Sequence, residues 1–449
     1  MVEKTNMFGQ AVRGISITAF GNILLNALSV LSTLLILHNL VPYDYGLWRL
    51  LLSAMTAVGL LGLTGVTGMF TADIVRELGE ERPENARFLL SRVTRFFLFT
   101  CLIAALALCI AAPIISRLSG IALTLYLYVL SLTVLATGLR QPYQIYFQAY
   151  LHPFAAQLLK NATTILYLLG IGLFVAFLNW GLWGLVAAYT LSQLIPVVMY
   201  APSFFHVLKP RTMGARPTYN FSRAFFGRGK WALAEDYVAA LTNALWPWIT
   251  GYFLSISEVG IISLALLLMS QVSALVPFQY VYRSLLPRMT QERERVGEWL
   301  MRGMRYSVFA QVAIGACAWF AIALLIPWIA AKYSPVIPLF GFLFIALPVN
   351  GIGIMLTEWF YAHKRQREFF IASALPSIGL MILLPFLLLS FGLAGFVLWY
   401  ILNSAATDAF SLWYARRDPV FPLKISLRIL PDRKDFALIR EAVSTFRAR

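Results

Sequence analysis

Four basic side chains lie inside or at the borders of long apolar stretches of the chain. Arg49 and Lys160 have apolar residues on both sides, and Arg13 and Arg140 lie where such stretches begin or end. A charge in a low-dielectric environment needs an opposite charge, and a phosphate group fits an arginine or a lysine well. These positions predict an anion site. The alternative is that the long side chains reach out to a water interface.

Carboxylates in similar surroundings predict a second chemistry. Glu235 and Asp236 are adjacent near the start of one apolar stretch, Glu358 lies near the end of another, and Asp408 lies in the last. Adjacent residues of a helix point to different faces, so one of the pair could face Lys160 while the other takes up an ion. We therefore expect a proton or a sodium ion as the coupling ion, with side chains anchored at an interface as the alternative.

Amide side chains occupy the middle of the same apolar stretches. Neutral hydrogen-bonding groups of this kind bind sugars, and hydrogen bonds between helices are the alternative role for each of them. The candidates for sugar binding are Asn22, Asn26, Asn243 and Gln271.

The sequence patterns of enzymes and metal sites do not occur in this chain. It has no glycine-rich phosphate loop, paired-cysteine cluster or nucleophile elbow, so we expect neither catalysis nor an organic cofactor. The three cysteines lie in apolar stretches, and the four histidines are scattered without the spacing of metal ligands. We therefore predict no metal site.

Membrane-spanning helices must position all of these residues. The chain is 60% hydrophobic and 12% charged, which excludes a soluble globular fold. Apolar runs near the length of a bilayer core recur about twelve times. Of the 36 lysines and arginines, 32 fall on one side of the membrane when both termini are cytoplasmic, and this asymmetry predicts that orientation. The net charge of +16 is thus a topology signal and does not indicate nucleic-acid binding.

Two pairs of sequence blocks indicate an internal duplication. GLWGLVAAYTL from Gly181 matches GLAGFVLWYIL from Gly392 at an offset of 211, and VPYDYGLWRLLLSAM from Val41 matches SISEVGIISLALLLM from Ser255 at an offset of 214. About six spans separate equivalent positions, an even number, so both copies enter from the same face. The sequence predicts an all-α polytopic membrane protein of two parallel, pseudo-symmetric six-helix halves. The expected divisions are a first bundle at 1–204, a basic cytoplasmic linker at 205–230, a second bundle at 231–414 and a basic amphipathic tail at 415–449.

A family resemblance is carried by LVPYDYGLWRLLLSAMTAVGLLGLTGV, by the following ADIVRELGEERPENA, and by the paired GLWGLVAAY and GLAGFVLWY blocks. These residues resemble the polysaccharide biosynthesis proteins, which are oligosaccharide flippases of the multidrug/oligosaccharidyl-lipid/polysaccharide exporter superfamily. The resemblance covers essentially the whole chain. It implies that the protein flips a lipid-linked pyrophosphate oligosaccharide from the inner to the outer leaflet of the cell membrane by alternating access. A MATE-like drug/ion antiporter of the same fold is the alternative, and it would need acidic cavity groups instead of basic ones.

The resemblance also implies partners and favours some candidate residues. We expect a lipid-linked glycan as substrate, contacts with membrane lipids and with other polysaccharide assembly proteins, no nucleic acid, and a monomer. Arg49 and Lys160 would attract the pyrophosphate. In the resembled family the first two helices of each half line the cavity, which favours Asn22, Asn26, Asp236, Asn243 and Gln271.

Overall fold

The computed structural model of the 449-residue chain describes residues 21, 24–59, 67–79, 82–150, 153–208, 230–276, 293–363, 365–417 and 421. Within those ranges every regular element is helical. Seven of the described helices are long and apolar enough to cross a membrane, or up to eight when the bent pair Val336–Leu343 and Ala346–Tyr361 counts as one span. The chain is therefore an all-α, multi-pass membrane protein, as the composition predicted.

The chain divides into two compact units. The first comprises Met1–Ile261 with Ile329–Tyr333, and the second comprises Ile262–Trp328 with Ser334–Arg449. The helices of the first unit are α1 (Leu24–Asn39), α2 (Pro42–Gly59), α3 (Thr67–Gly79), α4 (Pro83–Ser119), α5 (Thr124–Ala149), α6 (Pro153–Gly170), α7 (Gly181–Leu208) and α8 (Lys230–Phe253). Helix α9 (Ile256–Ala274) begins in the first unit and continues in the second. The remaining helices are α10 (Arg293–Ile329), α11 (Val336–Leu343), α12 (Ala346–Ala362), α13 (Gln366–Phe391) and α14 (Leu393–Ala415).

In the first unit, α4 packs along α5, α6 and α5 pack along α7, and α2 packs along α8. One end of this unit is filled by a buried apolar cluster that includes Phe70, Leu90, Phe97 and Tyr143. In the second unit, α14 packs along α13 and α12. Its apolar cluster includes Met355, Trp359 and Phe360.

Two very long helices occur at equivalent places in the predicted repeats. Helix α4 has 37 residues and α10 also has 37 residues, and their first residues are Pro83 and Arg293. At about 1.5 Å per residue each is about 55 Å long, well beyond the hydrocarbon thickness. The basic stretch from Arg82 to Arg95, which the sequence predicts to lie on the cytoplasmic side, therefore includes the first turns of α4.

A reciprocal contact joins the first turns of α2 and α9. A Cβ atom at Gly46 would collide with the carbonyl oxygen of Ile256, and a Cβ atom at Gly260 would collide with the carbonyl oxygen of Pro42. Both pairs, Gly46 with Gly260 and Pro42 with Ile256, are 214 residues apart in sequence. Two glycines thus allow two helix starts to approach each other more closely than any larger residue would permit.

The segment Ile329–Tyr333 is bound beside this contact. The Lys332 Nζ donates a hydrogen bond to the carbonyl of His38 at 3.0 Å, and the Tyr333 hydroxyl donates to the carbonyl of Leu40 at 3.1 Å. The Tyr333 ring packs edge-on against Tyr45 at 6.3 Å between centroids. We call Ile329–Tyr333 the clamp segment, because these bonds hold residues separated by nearly 300 positions in sequence.

The later pair of sequence blocks also has matching backbone geometry. Gly181 and Gly392 both have a positive φ, of 56° and 57°, which favours glycine. A Cβ atom at Gly184 would meet the carbonyl of Phe174, and one at Gly395 would meet the carbonyl of Leu387. Gly184 therefore contacts a residue ten positions before it in the chain, whereas Gly395 contacts a residue only eight positions before it. The chain in the first unit accommodates its longer connection by winding residues Ile171–Phe177 as a π-helix.

Candidate functional site

Three predicted basic residues lie in the interior of the first unit. Arg49 lies on α2, Arg140 on α5 and Lys160 on α6, and each is partly buried. Lys160 lies within electrostatic range of Arg140, and both Arg140 and Arg49 lie within electrostatic range of Tyr189 on α7. The structure therefore brings together side chains that come from four different helices.

The Arg140 side chain is held by one hydrogen bond, but another of its donors has no partner among the described residues. Its Nη1 donates a 2.6 Å hydrogen bond to the Oε1 of Gln193 on α7. Its Nε is buried and has no hydrogen-bond partner among the described residues. A buried guanidinium donor without a partner is costly, so this Nε would gain a hydrogen bond from an acceptor on a bound anion.

Aromatic side chains connect Arg140 to Arg49. The ring of Tyr189 packs edge-on against Tyr167 at 5.7 Å and against Trp48 at 5.2 Å. Tyr167 is within electrostatic range of Arg49 as well as of Tyr189. We call Arg49, Arg140, Lys160, Tyr167 and Tyr189 the cationic cluster.

No carboxylate of the described residues forms an ion pair with Arg49, Arg140 or Lys160. Three like charges in the interior of a membrane protein repel one another and lose hydration, so they need a counter-ion. Phosphate groups bind such sites through charge-assisted hydrogen bonds, which tyrosine hydroxyls can extend. The arrangement can bind an anion of two or more charges.

The other predicted site residues do not join this cluster. Arg13 and Asn22 lie outside the described residues. Asn26 on α1 is partly buried, and Asn243 on α8 is exposed. Gln271 is partly buried on the part of α9 that belongs to the second unit.

The predicted acidic residues are distributed over both units. Glu235 is partly buried and Asp236 is exposed on α8, while Glu358 on α12 is 3% exposed. Within the described part of the first unit, Lys160 forms no ion pair with Glu235 or Asp236. Their roles in ion coupling stay predictions.

A carboxylate in the second unit has the surroundings that an ion site needs. Asp408 on α14 packs against Gly353 on α12, where the lack of a side chain leaves room for the carboxylate. The Asp408 Oδ2 is buried without a hydrogen-bond partner among the described residues, and so are the Asn403 Oδ1 and the Thr407 Oγ1 on the same helix. Asn350 on α12 lies close to Tyr400 on α14. We call Asp408, Asn403 and Thr407 the Asp408 cluster.

Sequence reasoning missed several residues that the structure places at these sites. In the sequence, nothing distinguishes Tyr167 and Gln193 from ordinary interior residues of apolar helices. Tyr189 belongs to the repeated block, which was the one available signal. The pair of glycines at Gly351 and Gly353 was a further signal. Gly351 allows α12 to approach the backbone of Val308 on α10, and Gly353 makes room for the Asp408 carboxylate.

Comparison with known proteins gives a family and a fold. Residues 39–312 match a family described as "Polysaccharide biosynthesis protein". No curated protein matches the chain in sequence.

Several solved structures share the fold at low sequence identity. An inward-facing multidrug resistance MATE family transporter of the MOP superfamily has a TM-score of 0.70 at 16% identity, over 87% of this chain and 94% of that chain. A point mutant of the Vibrio cholerae MATE transporter VcmN has a TM-score of 0.63 at 15% identity, over 94% and 99% of the two chains. The lipid II flippase MurJ, in an inward closed conformation, has a TM-score of 0.61 at 15% identity, over 97% and 96%.

Proposed function

Because the chain belongs to the polysaccharide biosynthesis protein family, we propose that it is a flippase that moves a lipid-linked pyrophosphate oligosaccharide from the inner to the outer leaflet of the cell membrane. The observation that carries this proposal is the cationic cluster. Three basic side chains without a carboxylate partner among the described residues, one with a buried unpaired donor, favour a substrate that carries several negative charges. The diphosphate group of such a lipid meets that requirement.

We further propose the two-repeat, twelve-span architecture with cytoplasmic termini. Four observations support it: the unusual lengths of α4 and α10, the reciprocal glycine contact, the matching positive φ of Gly181 and Gly392, and the charge asymmetry of the loops. Two parallel repeats can alternate between states open to one face and then the other.

Energy for the cycle would come from an ion, because the sequence carries no nucleotide-binding loop. We propose a proton or a sodium ion, bound at the Asp408 cluster or at Glu358. We also propose that the amides Asn22, Asn26, Asn243 and Gln271 bind sugar residues, that Arg13 attracts the diphosphate at the inner face, and that the protein acts as a monomer alongside other polysaccharide assembly proteins.

The test measures lipid-linked glycan in the inner leaflet of cells that carry Arg140→Gln or Lys160→Gln in place of the native protein. We expect the glycan to accumulate and its export to fall by about ten- to a hundredfold, because each charge-assisted hydrogen bond to a phosphate is lost. Arg95→Gln is the matched control, since Arg95 is exposed on α4 and loses the same charge. Unchanged export in both variants, at normal protein levels in the membrane, would remove the cluster from the mechanism.

A drug/ion antiporter is the second candidate, and the buried Asp408 carboxylate, whose Oδ2 has no partner among the described residues, is the observation that favours it. A cationic compound would pair with such a group. Efflux of a cationic dye that depends on Asp408, with glycan export unchanged on deletion of the protein, would establish this alternative.

A further inference from the structure

The basic side chains of the cationic cluster belong to two different depths of the first unit. Helices α2, α5 and α7 begin at the same end, because Tyr126 near the start of α5 packs on Trp183 at 4.2 Å and is within electrostatic range of Asp44. Arg49 is seven residues into α2 and Arg140 is sixteen residues into α5. At about 1.5 Å per residue, these positions lie about 10 Å and about 24 Å from that end.

The other members of the cluster fall into the same two layers. Tyr189 is eight residues into α7, or about 12 Å from the same end, which is the depth of Arg49. Lys160 lies within electrostatic range of Arg140 and therefore belongs to the deeper layer. Tyr167 is seven residues further along α6 than Lys160 and neighbours both Tyr189 and Arg49.

The Arg140 guanidinium is not free to move to the shallower layer. Its hydrogen bond to Gln193 ties it to a side chain one helical turn deeper on α7 than Tyr189. Tyr189 lies within electrostatic range of both Arg140 and Arg49. A phosphate group that moves from Arg140 to Arg49 would therefore pass close to the Tyr189 side chain.

We infer that the first unit contains two anion stations in series, a deep one made by Arg140 and Lys160 and a shallow one made by Arg49, with the Tyr189 and Tyr167 hydroxyls between them. This inference rests on the proposed function and adds the route that the diphosphate would follow through the first unit. The diphosphate of the lipid enters at the deep station, which is the one nearer the predicted inner face, and passes to the shallow station before release. The tyrosines keep the phosphate hydrogen-bonded during a passage through low dielectric.

Binding stoichiometry separates two stations from one. The full-length protein in lipid nanodiscs is titrated with inorganic pyrophosphate, a probe small enough to occupy each station independently. We expect two bound probes per wild-type protein, one per protein in Arg49→Gln, and one per protein in Arg140→Gln, with the affinity of the remaining station changed less than about threefold. Arg95→Gln is the control and keeps both. The charge-preserving variants Arg49→Lys and Arg140→Lys retain two probes, which excludes misfolding as the cause of any loss.

Each other outcome has a separate meaning. If the wild-type protein binds one pyrophosphate, and if both Arg49→Gln and Arg140→Gln abolish that binding, the two-station path is overturned. A single phosphate site, consistent with the proposed function, would remain. No binding of pyrophosphate to the wild-type protein, nor of farnesyl pyrophosphate as a short lipid probe, would overturn the proposed function itself. In transport, the path requires that Arg49→Gln still bind farnesyl pyrophosphate but deliver less of it to the outer leaflet. Equal loss of binding in Arg49→Gln, Arg140→Gln and Lys160→Gln would contradict it.

Discussion

Equivalent positions in the two units carry different chemistry. In the first unit Tyr189 interacts with Arg140. In the second unit Tyr400, which follows Tyr189 by 211 residues, lies close to Asn350, which follows Arg140 by 210. The same pair of positions thus holds a cation with a tyrosine in one unit and a neutral amide with a tyrosine in the other.

At a second pair of equivalent positions, the first unit has a neutral contact and the second unit has an acidic side chain. In the first unit the Tyr143 hydroxyl donates to the carbonyl of Val197 at 3.4 Å. At the corresponding positions of the second unit, Gly353 lies against the Asp408 carboxylate. One scaffold therefore supports a basic site in the first unit and an acidic site in the second. Under the proposed function, this difference would correspond to a division of labour in which the first unit binds the anionic substrate and the second binds the coupling ion.

The largest effect is expected when a negative charge enters the basic site. Gln193→Glu would place a carboxylate on the Arg140 guanidinium, which its side chain already contacts. The new ion pair would neutralise the deep station, so we expect export to fall by about a hundredfold while thermal stability stays the same or rises. Glycan export and detergent melting temperature are measured together. Gln193→Asn is the control, and equal export in the glutamate and asparagine variants would contradict the basic-site assignment.

Neutralisation of Asp408 in the second unit should reduce ion-driven transport and leave anion binding in the first unit intact. Asp408→Asn keeps the shape of the side chain and removes its charge. We expect ion-gradient-driven glycan accumulation to fall by about tenfold, with pyrophosphate binding changed by less than about twofold. Glu368→Gln is the control, because Glu368 pairs with Arg365 at the start of α13, away from Asp408 along the chain. A parallel loss of pyrophosphate binding in Asp408→Asn would show that the units do not divide these tasks.

The reciprocal glycine contact predicts equal effects at its two ends. Gly46→Ala and Gly260→Ala each place a methyl group against a carbonyl oxygen of the other helix. We expect each to destabilise the protein by about 1–3 kcal/mol, and the double variant to cost less than the sum, because both act on one contact. Thermal unfolding in nanodiscs measures this. Gly59→Ala is the control, since a Cβ there meets no atom within 4 Å.

The smallest effect concerns pH at the clamp segment. Burial raises the pKa of the Asp44 carboxyl, and the neighbouring Lys332 ammonium opposes that rise. A carboxyl with a raised pKa binds its proton more tightly in the folded state, so its contribution to stability is present in acid and is lost as pH rises through that pKa. We expect the melting temperature to fall slightly over this range in the wild type and less in Asp44→Asn. An identical pH profile in the two proteins would contradict the burial of this group.

The sequence predicted the membrane class, the helical fold and three members of the cationic cluster, because charges stand out in apolar stretches. It could not predict which residues face them. Helix α13 is nearly uniformly apolar beyond its first turn, so no strongly polar face indicates its orientation. Gln193 and Tyr189 acquired their roles from contacts between helices, which only the three-dimensional packing determines. Asp408 was recognised as an intramembrane acid, but the room for it is made by Gly353 on another helix.

The reciprocal glycine contact also bears on the ancestry of the chain. A contact in which position i of one copy meets position j of the other, and the reverse, is the geometry of an isologous homodimer. A half-length ancestor that assembled in this way would have formed both contacts from a single glycine codon, so any substitution there would have damaged the dimer twice. In the proposed two-repeat chain, fusion of the copies would have removed that coupling. The two positions both hold glycine, while their partners, Pro42 and Ile256, differ.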